Sequence, residues 1–256
     1  MKILKFKKQS KDKYKLYLDD NSDITLYEDV IIKNNLLITK EISDELIEAL
    51  KKQNNDMYAY TLALGYISVK MRSIKEINDY LIKKGFNNLV ANKVSERLIK
   101  EGYLNDLKYA KSFINDSMNL TNKGPQKIKM ELIKYGVNKD IIESEIALID
   151  QKKVEEKLNK LIDKELKIKK GSQNAIKIKI INHFVNLGYS KDLVTSILTG
   201  KEITSDKSRL KKDYAKLYNK YKVKYSKQEL LYFISQKLYS KGYTASDIKE
   251  VLKEEN

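Results

Sequence analysis

The sequence predicts a mainly α protein made of tandem three-helix repeats, an elongated curved solenoid behind a small N-terminal β-meander unit. Three observations carry that prediction: a recurring glycine-centred pattern, a helix-favouring composition, and a short N-terminal stretch with a different periodicity. The pattern returns four times, at Gly85, Gly136, Gly188 and Gly242, with a period of 51 to 54 residues. Eight residues before each glycine stands isoleucine (Ile77, Ile128, Ile180, Ile234), and four before it a large apolar residue (Leu81, Leu132, Phe184, Leu238). Such i, i+4 spacing places both on one helix face. Each glycine is followed by an apolar residue (Phe86, Val137, Tyr189, Tyr243) and then a capping type (Asn87, Asn138, Ser190, Thr244). A residue just past a helix end often needs φ > 0, which glycine adopts without steric cost, and an N-cap side chain accepts from unpaired amides of the next helix. Each marker therefore ends one helix and starts another. A period this long means one supersecondary unit per repeat, its apolar face completed partly by its neighbours.

Nine glycines and one proline in 256 residues are few for the many turns of an all-β protein, whereas Lys, Glu, Leu and Ile fill helices well. Residues 1–40 behave differently. Ile3, Leu4 and Phe6, then Tyr14, Leu16 and Leu18, then Ile24 and Leu26, with the turn cluster Asp19-Asp20-Asn21-Ser22, predict short strands in a meander. Ser43 is placed as the cap of a helix through Leu46, Ile47 and Leu50 that ends near the polar run Gln53-Asn54-Asn55, giving a first unit at 1–55.

The repeats are placed at 56–102, 103–150, 151–203 and 204–256. In the first, Tyr58, Leu62 and Ile67 mark helix one, and Ser73-Ile74-Lys75-Glu76 is a capping box that opens helix two. In the second, Gly124-Pro125 opens the equivalent helix, where proline loses no hydrogen bond. Both starts lie 12 residues before the marker glycine, while Ser172 and Ser226, the latter boxed with Glu229, lie 16 before theirs. Four extra residues are about one helical turn, so the stripe keeps its phase while the helix lengthens. Tyr58-Ala59, Tyr109-Ala110 and Tyr214-Ala215 mark the first helices, and the third copy has Leu161-Ile162 instead.

A formal net charge of +16 and a pI near 9.5 point to a polyanionic partner. Nucleic acid fits best, because counterion release drives such binding and the charge steers encounter. Anionic lipid fits less well, since the apolar faces are taken up by repeat packing. Arginine occurs only at Arg72, Arg97 and Arg209, so the charge is lysine, a point charge suited to phosphate rather than to reading base edges. With no cysteine there is no disulfide framework or thiolate metal site. The N-terminus lacks the apolar run of a signal peptide, and no stretch approaches the roughly 18 apolar residues of a membrane span. The expectation is a cytoplasmic monomer without membrane contact.

No catalytic, cofactor or metal residues are assigned. A Ser-His-Asp arrangement could use only His183, which reads as an ordinary helix residue beside Phe184, and neither a Gly-rich phosphate loop nor a zinc-ligand spacing occurs. Carboxylates fall on polar faces among lysines, where i,i+4 pairing explains them. A metal-dependent nuclease of scattered carboxylates is the enzymatic alternative. Binding features are richer, because positive charge recurs at the corner between the first and second helices. The candidates there are Lys70, Arg72 and Lys75; Lys123, Lys127 and Lys129; Lys169, Lys170, Lys177 and Lys179, with Lys164 and Lys167 nearby; and Lys222, Lys224 and Lys227. In a regular stack these corners line one side. Tyr214, Tyr218, Tyr221 and Tyr225, spaced 4, 3 and 4 among lysines, read as a core helix stripe or as a single-strand stacking platform, the core reading being favoured.

Met71-Arg72-Ser73, then Gly102-Tyr103-Leu104-Asn105-Asp106 with Tyr109-Ala110, then Lys123-Gly124-Pro125 with Ile128, Glu131-Leu132 and Gly136, closely resemble the RecX family of bacterial recombination regulators. Tyr14 to Leu18, Glu28-Asp29-Val30 and Tyr60 to Tyr66 are similar to its longer Gram-positive members. The likeness covers most of 1–150 and extends over 151–256 by repeat pattern alone. It implies a non-enzymatic protein that binds RecA recombinase and single- and double-stranded DNA, and modulates the RecA nucleoprotein filament, in the inhibitory sense, in homologous recombination and the SOS response. Shorter members carry three repeats where this chain has four. Two other readings stand beside it: a sequence-independent DNA-binding repeat protein acting without RecA, and an interaction scaffold.

Overall fold

The computed structural model describes residues 1–254; the last two residues of the predicted fourth repeat, Glu255 and Asn256, lie outside the described residues. Thirteen helices and a three-stranded sheet make up these residues. They divide into two compact units, one of Met1–Ser112 with Leu132–Ile141 and one of Phe113–Glu131 with the described residues from Ile142 onward.

In the first unit, β1 (Ile3–Lys8), β2 (Lys13–Leu18) and β3 (Asp23–Tyr27) pair antiparallel in the order β1-β2-β3. Alternation sends Leu16, Leu18 and Leu26 to a buried face, where they meet Val30, Ile31, Leu36, Ile42 and Leu50. A short helix not anticipated from the sequence, α1 (Glu28–Lys33), follows β3 directly, with Glu28 and Asp29 in the first turn where the helix dipole favours them.

The helix opened by Ser43 does not end near residue 55. It runs unbroken as α2 (Asp44–Ile67), through the predicted boundary. The polar run that looked like a linker is a seam: Asn54 Oδ1 accepts from the Tyr27 amide at 2.8 Å, Asn54 Nδ2 donates to the Thr25 carbonyl at 3.1 Å, and Gln53 Oε1 accepts from Asn34 at 2.9 Å. Asn54 satisfies the backbone of β3 and Gln53 holds Asn34 at the end of α1, so the N-terminal sheet is built on the same helix that begins the first repeat. Further along α2, Ala59 and Ala63 are fully buried and let α3 (Ile74–Lys83) and α4 (Asn88–Lys100) pack closely, with Ile77, Leu81, Val94 and Leu98 in the core.

Three more helix triplets follow: α5 (Asp106–Leu120), α6 (Pro125–Lys134), α7 (Lys139–Ala147); α8 (Gln151–Ile168), α9 (Gln173–Asn186), α10 (Lys191–Thr199); and α11 (Lys207–Tyr221), α12 (Lys227–Ser240), α13 (Ala245–Glu254). The predicted starts hold: Ser73 and Ser172 accept from the amides of Glu76 and Ala175, and Glu229 accepts from the Ser226 amide and hydroxyl. So do the lengths, with 10 residues in α3 and α6 and 14 in α9 and α12. All eight stripe residues are buried. The tyrosine stripe is only partly core: Tyr214 is 4% exposed and Tyr221 packs on Phe233, but Tyr218 within α11 is 39% exposed, as is Tyr225, which lies past the helix end at Tyr221.

The four marker glycines take φ of 95°, 76°, 92° and 86°. Three also receive the second helix of the preceding repeat. The Ser73 hydroxyl at the start of α3 donates to the Tyr135 carbonyl at 2.6 Å, and Lys75 lies on Gly136 where a Cβ would come 2.6 Å from its own. At the start of α6 the Gly124 amide donates to the Leu187 carbonyl at 2.7 Å and the Gln126 amide to Gly188 at 3.0 Å. At the start of α9 the Ser172 hydroxyl donates to the Lys241 carbonyl at 2.6 Å, beside Gly242. In each case unpaired donors at one helix start meet the unpaired carbonyl just before the next marker glycine, head to tail along the helix dipoles.

Candidate nucleic-acid interface

Three of the four helix corners that carry the candidate lysines, at the starts of α3, α6 and α9, take part in these junctions. In the first corner Lys70 is exposed and carries no ion pair among the described residues. Arg72 is different. Its side chain is 12% exposed, pairs with Glu76 at 3.3 Å, and lies 3.8 Å from the ring centre of Tyr66, which stacks on Tyr80 at 4.1 Å. Glu76 also accepts from the Ser73 amide at 3.0 Å and bonds the Tyr109 hydroxyl, whose pKa burial and this carboxylate push well up. Arg72 is therefore spent on the helix start, and Lys75 pairs with Asp79 while its stem covers Gly136.

In the second corner Lys123 pairs with Glu131 at 2.6 Å and Lys129 with Glu143 at 3.3 Å, while Lys127, whose backbone faces Gly188, is half-buried and has no ion pair among the described residues. In the third, Lys169 pairs with Glu165 at 3.0 Å and Lys170 lies close enough to Asp206 to help lower its pKa, behind the hydrogen bonds from Ser208 and Arg209. Lys177 and Lys179 on α9 have no carboxylate partner among the described residues. In the fourth corner Lys222, Lys224 and Lys227 are all exposed and have no ion pair among the described residues, around Val223 at 91% exposure. Of the thirteen candidates, Lys70, Lys127, Lys177, Lys179, Lys222, Lys224 and Lys227 have no ion-pair partner among the described residues.

Sequence reading missed a groove of about 640 Å³ lined by Tyr66, Tyr80 and Tyr135, by Lys75, Lys83, Lys84 and Lys134, and by Glu76 and Asp79, the partners of Arg72 and Lys75. Lys83 and Lys134 close α3 and α6, where the helix dipole favours cations, and that position was the available signal. The rings of Tyr66 and Tyr80 are already stacked on each other, with Arg72 on one side and Lys84 5.6 Å from the other, so the groove offers cations and ring edges, not an open stacking face. Arg97 is also structural: it sits 3.8 Å over Tyr60, and Glu101 takes both groups. Burial, then that carboxylate, push the Tyr60 hydroxyl up to about 12. His183 is an exposed helix residue against Phe184. Among the described residues no group of three or more His, Asp or Glu could hold a metal ion, and no helix is long and apolar enough to cross a membrane.

What this arrangement can do is attract and hold phosphates at dispersed points. With two of three arginines committed to internal stacks, bidentate reading of base edges has little to work with.

Models of the first and second three-helix domains of RecX match residues 59–98 and 105–144. The chain is 35% identical to the regulatory protein RecX of Streptococcus uberis, covering 99% of both chains, and 27% identical to that of Staphylococcus aureus, covering 98% of this chain and 94% of the other. Among solved structures, the crystal structure of a regulatory protein RecX superposes with a TM-score of 0.69 at 23% identity, covering 77% of this chain and 98% of that one. The crystal structure of RecX from Lactobacillus salivarius superposes with a TM-score of 0.53 at 28% identity, covering 57% and 96%.

Proposed function

Because the chain belongs to the RecX family, we propose that it is a non-enzymatic, cytoplasmic regulator that binds RecA recombinase and its DNA filament and limits recombinase activity. The observation that carries the DNA part of this reading is the set of unpaired lysines at successive helix corners, from Lys70 to Lys227. Paired lysines on a solvated face add little to binding, whereas unpaired ones release counterions when they meet phosphate. Lysine dominance makes the contact sequence-independent. The RecA part is supported by the family resemblance of the Gly102–Asp106 and Lys123–Pro125 strings. A monomer acting on filament ends or bridging protomers needs fewer copies than one that competes for every DNA site.

Two measurements test it. Substoichiometric protein is expected to slow RecA's DNA-dependent ATP hydrolysis, and co-sedimentation with RecA is expected with and without single-stranded DNA. Replacing Lys222, Lys224 and Lys227 together with Gln is expected to weaken the effect and leave the helical signal unchanged. With roughly six lysines on phosphates, the logarithmic salt slope for single strands should be about −4. Inhibition only at DNA-saturating concentrations, and equally against an unrelated single-strand-binding protein, would replace this reading with direct DNA competition, the alternative favoured by the same lysines.

A further inference from the structure

We propose that the outer face of the N-terminal sheet is a second polyanion site, one that takes the sugar-phosphate backbone of an extended single nucleic-acid strand. It rests on the DNA part of the reading above and adds a surface that lies outside the helix corners. The first 15 residues contain seven lysines, and pleating sorts them. Register places Lys5 opposite Tyr17 and Lys7 opposite Lys15, so these share the face turned away from Leu16 and Leu26, while Lys13 stands opposite Tyr27, which is buried in the same core cluster as those leucines.

Two features of that face call for a ligand. Lys7 and Lys15 are directly opposed like charges, an arrangement that destabilises a sheet unless something neutralises it. Lys15 has a local answer, Asp23 at 3.0 Å; Lys5 and Lys7 are exposed, with no carboxylate partner among the described residues. Lysines on an edge strand can serve merely to block edge pairing, which would account for Lys5 and Lys7 on β1. It does not account for the opposition of Lys7 to Lys15, because Lys15 is on β2, the central strand, and blocks no edge. Lys13 is held between the rings of Tyr27 and Tyr58, at 4.6 and 5.3 Å, and is not counted as a contact. Tyr17 lies half-buried between Lys5 across the ladder and Lys15 on its own strand, whose ammonium is 5.4 Å from the ring. Alternate residues on a strand are roughly 7 Å apart, so Lys5 and Lys7 present two ammonium groups at a spacing that matches successive phosphates of an extended strand, beside Lys15 and the Tyr17 ring.

The test uses the full chain and a fluorescein-labelled oligothymidylate, read by anisotropy across a salt series. Replacing Lys5 and Lys7 together with Gln is expected to weaken binding several-fold and to reduce the salt slope by about 1.4, from about 0.7 per lost phosphate contact. The matching double replacement with Arg should restore both, and circular dichroism should be unchanged in either variant. Lys7→Gln alone should raise the unfolding temperature, because it removes the opposed charge. An unchanged slope in the Gln variant, with wild-type binding intact, overturns the sheet site and leaves the corner lysines as the DNA contact. Loss of binding to phosphatidylglycerol vesicles with oligothymidylate binding unaltered overturns it in favour of a lipid surface. A wild-type chain that shows no salt-dependent binding overturns both readings.

Discussion

Gly85 and Gly188 occupy the same place in the same sequence pattern, with nearly the same φ of 95° and 92°, yet their surroundings differ completely. A side chain at Gly85 would meet nothing within 4 Å; at Gly188 it would fall against the backbone of Lys127. One glycine only ends a helix. The other ends a helix and also accepts the start of the preceding repeat's second helix, backbone on backbone, with Gly124 opposite it for the same reason: a Cβ there would come 2.6 Å from Gly188. The difference teaches that a repeat marker conserves local geometry across copies while the packing demand on it depends on which neighbour exists.

The largest expected effect follows directly. Gly188→Ala combines a left-handed backbone penalty of roughly 1–2 kcal/mol with overpacking of roughly 1–3 kcal/mol, so destabilisation of about 2–5 kcal/mol is expected in urea unfolding. Gly85→Ala carries the backbone term alone, about 1–2 kcal/mol. Equal costs at the two sites would break the comparison. Helix starts give a finer version. Ser73→Ala removes both a cap and the bond to the Tyr135 carbonyl and should cost about 1–2 kcal/mol, whereas Ser226→Ala, at a start that no later repeat receives, should cost about 0.5–1 kcal/mol. The smallest expected effect is in the charges: Lys123→Gln breaks a pair with Glu131 and should change stability by less than about 1 kcal/mol, while Lys127→Gln should leave stability unchanged and lower DNA affinity measurably.

Much of the fold was legible because it is local. Ile128 and Leu132, Ser73 and Glu76, and Pro125 each announce a helix face or a helix start within a few residues, and the four-residue lengthening of α9 and α12 could be read from cap positions alone. Asn54 was misread because its two hydrogen bonds go to residues almost thirty positions away in β3, and an isolated Gln-Asn-Asn run carries the same signal whether it breaks a helix or docks a sheet. The tyrosine run failed for a similar reason: the 4, 3, 4 spacing suits a helix, but the chain turns after Tyr221. At the interface, the sequence located where positive charge gathers, yet Arg72, Lys123, Lys129 and Lys169 carry the same formal charge as Lys70 and Lys222, and only their surroundings separate a committed cation from a free one.

By itself, then, the amino-acid order determined the helical class, the repeat period, the caps, the buried stripes and the net charge, all properties of short windows or of composition. Tertiary structure decided which glycines must have no side chain, which helix runs through an apparent boundary, and which lysines remain available to phosphate. Those outcomes depend on carbonyls, carboxylates and rings brought close from some 60 residues away, as Ser73 meets Tyr135 and Ser172 meets Lys241, and no local pattern encodes the partner.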